Sequence, residues 1–128
     1  MKPKLNAGEK SQRQLRVGEQ IRHVLAEIMR RSTFRDPDLQ NLNVSVTEVR
    51  ISPDLKNATA YVISLGGDRA ATDKIVTALN RAAPFLRGEL AREIELRNTP
   101  ALKFAADTSL DYAQKIDALL KVHGTNDT

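Results

Sequence analysis

The sequence predicts an α+β fold in which a small sheet carries its helices on one face. Three observations support this. Val17, Ile21, Val24, Leu25, Ile28 and Met29 recur at spacings of three, four and one, which is a single apolar stripe on an amphipathic helix. Two stretches rich in alternating or β-branched residues follow, separated by turn chemistry. A second helical stretch then leads into a later alternating segment. Hairpin-paired strands, consecutive helices and a returning strand are the parts of a two-layer α+β domain.

Residues 1–10 lack periodicity and read as a disordered basic arm. Ser11 and Gln14 match the S-x-x-Q capping box that opens a helix. That helix is expected to end between Arg31 and Thr33, ahead of the polar Asp36-Pro37-Asp38 stretch. Leu42, Val44 and Val46 alternate as a half-buried strand should, but Val49 and Ile51 lie on the other parity. A bulge near Thr47 absorbs the slip. Ser52-Pro53-Asp54 is a turn. Ala58 to Leu65, ATAYVISL, reads as the antiparallel mate. Gly66-Gly67-Asp68 ends it, with Asp68 as the N-cap of the next helix.

The next helix carries Ile75, Ala78, Leu79 and Ala82 and then meets Pro84. Proline costs about 3 kcal/mol inside a helix but is tolerated in a first turn, and it pushes the preceding Ala83 out of the α region. Two helices are therefore expected, the first ending near Ala82 and the second starting at Pro84 with Phe85, Leu86 and Leu90. A single kinked helix is the alternative. Ile94 and Leu96, then Leu102 and Phe104, bracket Thr99-Pro100 and suggest a strand interrupted or preceded by a turn. Phe85 and Phe104 read as core. Thr108 or Ser109 caps a last short helix bearing Tyr112, Ile116, Leu119 and Leu120, with Gly124 at its stop. Residues 11–121 thus read as one domain and 122–128 as a flexible tail.

With 128 residues and no Cys, the chain can build a core alone, and disulfides, zinc–thiolate sites and cysteine nucleophiles are excluded. No apolar run approaches the roughly 18 residues of a membrane span, and the N-terminus lacks the apolar segment of a signal peptide, so a cytoplasmic protein is expected. The net charge of +4 is unevenly placed. Residues 1–35 hold nine Lys or Arg against three Glu, and the remainder is slightly acidic. Such asymmetry suits a polyanionic partner, while a solvated tail and helix face is the plainer explanation. On a helical wheel Arg16, His23 and Arg30 stack away from the apolar stripe, and Arg13 and Arg31 flank it. Arg81, Arg87, Arg92 and Arg97 form a second candidate patch around the bend. Both groups could neutralise phosphates.

No P-loop, G-x-G-x-x-G, H-E-x-x-H or G-x-S-x-G occurs. His23 and His123 are too few and too distant for a metal site. Asp36 and Asp38 read as a solvated loop, Glu89, Glu93 and Glu95 as a charged helix face, and Asp54 and Asp107 as residues bonding their local backbone. Neither cofactor nor metal is expected, and an enzyme is the minority reading.

Beyond these patterns, the runs VTEVRISPDLKNATAYV, ALNRAAPFLRGELAREIELRNTPALKF and DTSLDYAQKIDALL, with Arg16 through Ile28, resemble the ribosome-binding factor A family over most of residues 13–120. Val49 to Leu55 and Leu96 to Phe104 are the specific parts, since periodicity explains neither. The resemblance implies a type II KH-like fold, α-β-β-α-kink-α-β, with a short C-terminal helix. In that family an Ala-x-Gly kink replaces the G-x-x-G loop of RNA-gripping KH domains. Here the kink residues are Ala82, Ala83 and Pro84, so Pro84 stands at the glycine position and cannot take a positive φ. The resemblance further implies an assembly factor that binds the immature 30S subunit and 16S rRNA, promotes late maturation and 5′ processing of that RNA, and matters for growth in the cold; the lack of a ligand set or catalytic grouping and the ample Leu, Ile and Val lead us to expect a monomer without catalysis. It favours RNA over a solvated face for Arg13, Arg16, His23, Arg30 and Arg31. The rival reading is a protein-interaction module whose basic helix meets an acidic protein.

Overall fold

The computed structural model describes residues 11–109. The N-terminal arm expected over 1–10, the last helix expected around Tyr112, Ile116, Leu119 and Leu120, and the tail over 122–128 lie outside the described residues. The described chain runs α1 (Gln12–Arg31), a short 3-10 turn (Pro37–Leu39), β1 (Val44–Ile51), β2 (Asn57–Ser64), α2 (Arg69–Glu93) and β3 (Ala101–Ala106). β2 lies between the other strands, antiparallel to β1 and parallel to β3. The parallel pairing requires a crossover, and α2 supplies it. α1 packs on β1, α2 packs on β3 and β2, and the two helices touch each other. This is the α+β, KH-like arrangement the sequence predicts.

The expected signals act where they were placed. The Ser11 side chain accepts from the Gln14 N–H while the Gln14 side chain accepts from the Ser11 N–H. Asp68 caps α2 by accepting from the Ala71 N–H at 2.9 Å. The register of β1 against β2 slips between Val46 and Glu48, and the slip turns Val46, Val49 and Ile51 all toward the core. Ile21, Leu25, Ile28, Val62, Leu79, Leu86, Leu90 and Phe104 fill the space between sheet and helices.

α1 approaches β1 very closely. A Cβ on Gly18 would lie 2.5 Å from the Val49 carbonyl oxygen, inside van der Waals contact with backbone that cannot swing away. One turn earlier, buried Gln14 donates from Nε2 to the Ile51 carbonyl at 2.9 Å.

Two expectations are corrected. α2 is one helix of 25 residues with Pro84 inside it, not two helices divided at Ala82–Pro84. Ala78, Leu79, Leu86 and Leu90 keep helical phase across the proline and are all buried. Burying each Leu contributes about 1.5–3 kcal/mol, so together they outweigh the roughly 3 kcal/mol cost of the proline. Pro84 itself is exposed, on the side where a carbonyl that loses its helical partner can meet water. Ile94 and Leu96 are not strand residues either. Ile94 is the C-cap of α2, its N–H bonded to the Leu90 carbonyl at 3.0 Å, and the strand begins only at Ala101, after the Thr99-Pro100 turn.

β3 would present open ladder groups on its outer edge. Asn80 of α2 covers them at one residue. Its Nδ2 donates to the Phe104 carbonyl at 3.0 Å, and its Oδ1 accepts from the Phe104 N–H at 2.8 Å.

The two helical glycines make a matched test of this packing. Alanine is favoured over glycine in a helix by about 1 kcal/mol. Gly88→Ala, where an added Cβ meets nothing within 4 Å, should stabilise the protein by about that amount. Gly18→Ala should destabilise it by about 1–3 kcal/mol through overpacking against β1. Urea-unfolding midpoints of the two variants moving in the same direction would show that α1 does not sit this close to the sheet.

Candidate nucleic-acid interface

The phase of α1 that buries Val17, Ile21, Leu25 and Ile28 leaves Arg16, His23 and Arg30 exposed. Their electrostatic settings differ. Arg30 pairs with Glu27, and His23 Nε2 lies 3.4 Å from a Glu19 carboxylate that also holds Arg22. The Arg22 hydrogen bond is the main reason Glu19 is held below the usual carboxylate range, and Arg30 does the same for Glu27. Exposed pairs of this kind are worth little and exchange readily with other anions. Arg13 and Arg16 have no acidic partner among the described residues. Arg31 is committed elsewhere, pairing with Glu93 at the end of α2.

The second candidate patch does not hold together as one surface. Arg81 reaches away from the bend and clamps the turn before β1, with Nη2 at 2.9 Å from Asp36 and 3.1 Å from Asp38. Asp36 also caps that turn through the Asp38 N–H. This bond first, and Arg81 second, hold its carboxyl below the ordinary range. Arg87 is a brace: its Nε donates to the Pro100 carbonyl at 3.0 Å and its Nη2 to the Thr99 carbonyl at 2.7 Å. Arg92 pairs with Glu89 on its own helix at 3.2 Å. Arg97 alone of the four makes no such contact.

Arg97 instead lies with Arg13 along one cleft of about 220 Å³, where it is joined by Lys56. The cleft also takes in Asp54, Leu55 and Pro100. It therefore collects the two runs that periodicity leaves unexplained, one from the β1–β2 turn and one from the segment before β3. The turn is tightly made. Asp54 Oδ1 accepts from the Ser52 hydroxyl at 2.6 Å and from the Lys56 N–H at 3.0 Å, and these bonds lower its pKa in that order of importance. Leu55 adopts a φ of 62°, a left-handed conformation that costs a bulky residue on the order of 1–3 kcal/mol. Its side chain packs against the core, which compensates for that backbone.

Lys56 was not among the candidates. Its signal was its place directly after the run Val49 to Leu55, since a turn with a proline and an aspartate and no periodic role leaves the adjoining basic residue unexplained. Phe85, expected in the core, is about half exposed on α2 beside Pro84, where its ring meets Phe34 edge-on with centroids 6.3 Å apart. Continuation of α2 through the proline carries position 85 onto the outer side. Among the described residues no three His, Asp or Glu side chains are grouped to hold a metal ion, and no helix is long and apolar enough to cross a membrane.

Comparison with known proteins gives a consistent result. The family model for ribosome-binding factor A matches residues 13–120. Ribosome-binding factor A of Paramagnetospirillum magneticum is 53% identical over 110 residues, which are 86% of this chain and 76% of that protein. The crystal structure of ribosome-binding factor A from Thermus thermophilus is similar with a TM-score of 0.60 at 28% identity, covering 73% of this chain and 93% of that one. A homology model of the Thermus thermophilus protein, fitted into the cryo-EM map of a complex of that factor with the 30S subunit, is similar with a TM-score of 0.54 at 29% identity, covering 71% and 91% respectively.

Two outcomes are expected from this geometry. Arg87→Ala should cost about 1–3 kcal/mol, the range for hydrogen bonds to a charged group, because two carbonyls lose their donor. The loss should appear as a lower urea-unfolding midpoint, and an unchanged midpoint would show that Arg87 does not brace the segment before β3. The second concerns Asp36, whose pKa is depressed in the fold from an ordinary value near 3.8. Its contribution is fully present above that value and is lost as pH falls through the lower folded pKa. Asn caps as well as Asp, so Asp36→Asn isolates the charge. The stability gap between wild type and Asp36→Asn should be constant above about pH 5 and close below about pH 4. A gap that widens on acidification would contradict it.

Proposed function

The chain belongs to the ribosome-binding factor A family, and on that premise we propose that it binds the immature small ribosomal subunit through contacts to 16S rRNA. It acts there as a non-catalytic assembly factor in late maturation and 5′ processing of that RNA, in the cytoplasm and as a monomer. One KH-like domain over residues 11–121 carries the activity, with a basic arm before it and a short tail after it. The observation that carries this reading is the family match over nearly the whole domain, together with the small-subunit complex of a relative of the same fold. The exposed basic edge of α1, where Arg13 and Arg16 stand without acidic partners, supports phosphate contact as the mode of binding. With two Tyr and three Phe in the whole chain, phosphate and shape contacts rather than base stacking would dominate.

Cosedimentation with purified 30S and 70S particles tests the reading, and binding to 30S in preference to 70S is the expected result. Arg16→Ala with Arg30→Ala should leave the thermal midpoint nearly unchanged, because exposed substitutions usually shift stability by no more than about 0.5 kcal/mol. The slope of log affinity against log salt should fall by roughly one to two units. Unchanged affinity and slope would mark this face of α1 as merely solvated. Failure to bind 30S particles at all would overturn the proposed function.

A further inference from the structure

The cleft at the first turn of α1 presents a grouping that the family assignment does not explain. Arg13, Lys56 and Arg97 come from three elements far apart in the chain and are brought to one concavity. Like charges gathered this way repel. At several other positions such charge is offset, as where Arg30, Arg31, Arg50 and Arg92 each hold a carboxylate. Among the described residues the one acid in the cleft is Asp54, whose carboxylate is bonded into its own turn. Among the described residues Arg13 and Arg97 have no carboxylate partner, and Arg16, one turn along α1 from Arg13, continues the positive edge.

The walls of this cleft are fixed before anything binds. Gln14 ties the start of α1 to the Ile51 carbonyl. The Ala101 N–H donates to the Lys56 carbonyl at 2.8 Å and joins the β1–β2 turn to the segment before β3. The guanidinium of Arg87 holds that segment by the Thr99 and Pro100 carbonyls. A site whose backbone is already ordered loses little entropy on binding. Its volume of about 220 Å³ lies below the roughly 300–1,000 Å³ of small-molecule pockets, so it suits part of a polymer. A concavity of that size holds a short stretch of one strand. Leu55, partly exposed, gives it an apolar element beside the cations, as a ribose or base next to a phosphate would require.

We propose that this cleft seats the phosphodiester backbone of a single RNA strand, with Arg13 and Arg97 on its phosphates and Lys56 at the rim. The proposal rests on the ribosome-binding reading above and assigns it a second contact, distinct from the outer face of α1.

The test uses the full chain carrying Arg13→Gln, Lys56→Gln and Arg97→Gln together. Its affinities for 30S particles and for a short single-stranded RNA of mixed sequence are measured between about 50 and 200 mM salt, the range over which phosphate contacts are resolved. With an unchanged melting temperature, the salt slope should fall by about 1.4 units for the oligonucleotide, at roughly 0.7 for each of the two lost phosphate contacts on a single strand, and affinity for 30S should fall with it. The variant Arg13→Lys, Lys56→Arg, Arg97→Lys should retain both slopes. If the Gln variant keeps wild-type slopes on both ligands while Arg16→Ala with Arg30→Ala weakens 30S binding, the cleft proposal fails and the ribosome-binding reading stands. If the Gln variant loses 30S binding but keeps its full oligonucleotide slope, the cleft meets an acidic protein surface and the RNA assignment is overturned.

Discussion

The fold depends on how closely α1 can lie against β1. At Gly18 the helix backbone and the Val49 carbonyl come so near that no side chain fits between them. Helices are ordinarily held off a sheet by their side chains, and removing one side chain lets the neighbouring turns settle. Ile21, Leu25 and Ile28 then reach full burial one to three turns later. On the other side of Gly18, Gln14 comes within 2.9 Å of the Ile51 carbonyl and holds the start of the helix over the end of the strand. Helix propensity opposes glycine in mid-helix, so its presence there reflects a packing requirement.

The same seating sets the chemistry of the surface. Because the N-terminal turn of α1 is held over the end of β1, Arg13 is carried to the β1–β2 turn and the segment before β3. Apart from Arg30, Arg31 and Arg92, which pair with carboxylates, the candidate arginines divide into two kinds by their surroundings. Arg81 and Arg87 are parts of the scaffold, one clamping a turn to α2 and one bracing the approach to β3. Arg13, Arg16 and Arg97 are held in place by their backbone while their charge stays available. Charge counted along the chain does not separate the two kinds, since a guanidinium bonded to carbonyls and one facing solvent contribute equally to a net charge of +4.

Several elements were legible because their causes are local. The capping box of Ser11 and Gln14, the N-cap at Asp68 and the β-bulge implied by the parity change after Val46 each involve residues within a few positions of one another. The second helix was misread for a reason of scale. Near Pro84 the local cost of a proline is the strongest visible signal, and it argues for a break. The burial of Ala78, Leu79, Leu86 and Leu90 against one sheet surface is larger in sum but is realised only when the sheet is present. Phe85 was assigned to the core for the same reason, because its side depends on whether the helical phase continues through position 84. Ile94 and Leu96 alternate like a strand, yet the last hydrogen bond of α2, from Ile94 to Leu90, claims the first of them.

The sequence by itself determined the fold class, the two hairpin strands and the bulge between them, the start of both helices and the likeness to a family, because periodicity, caps and turn residues act over short distances in the chain. Only the tertiary structure decided which arginines brace the scaffold, why position 18 is glycine, and that Asn80 closes the edge of β3 at Phe104. It alone also brought Lys56 to the side of Arg13 and Arg97. Each of these depends on contacts between residues 12 to 84 positions apart, and no pattern of spacing along the chain encodes which distant groups will meet.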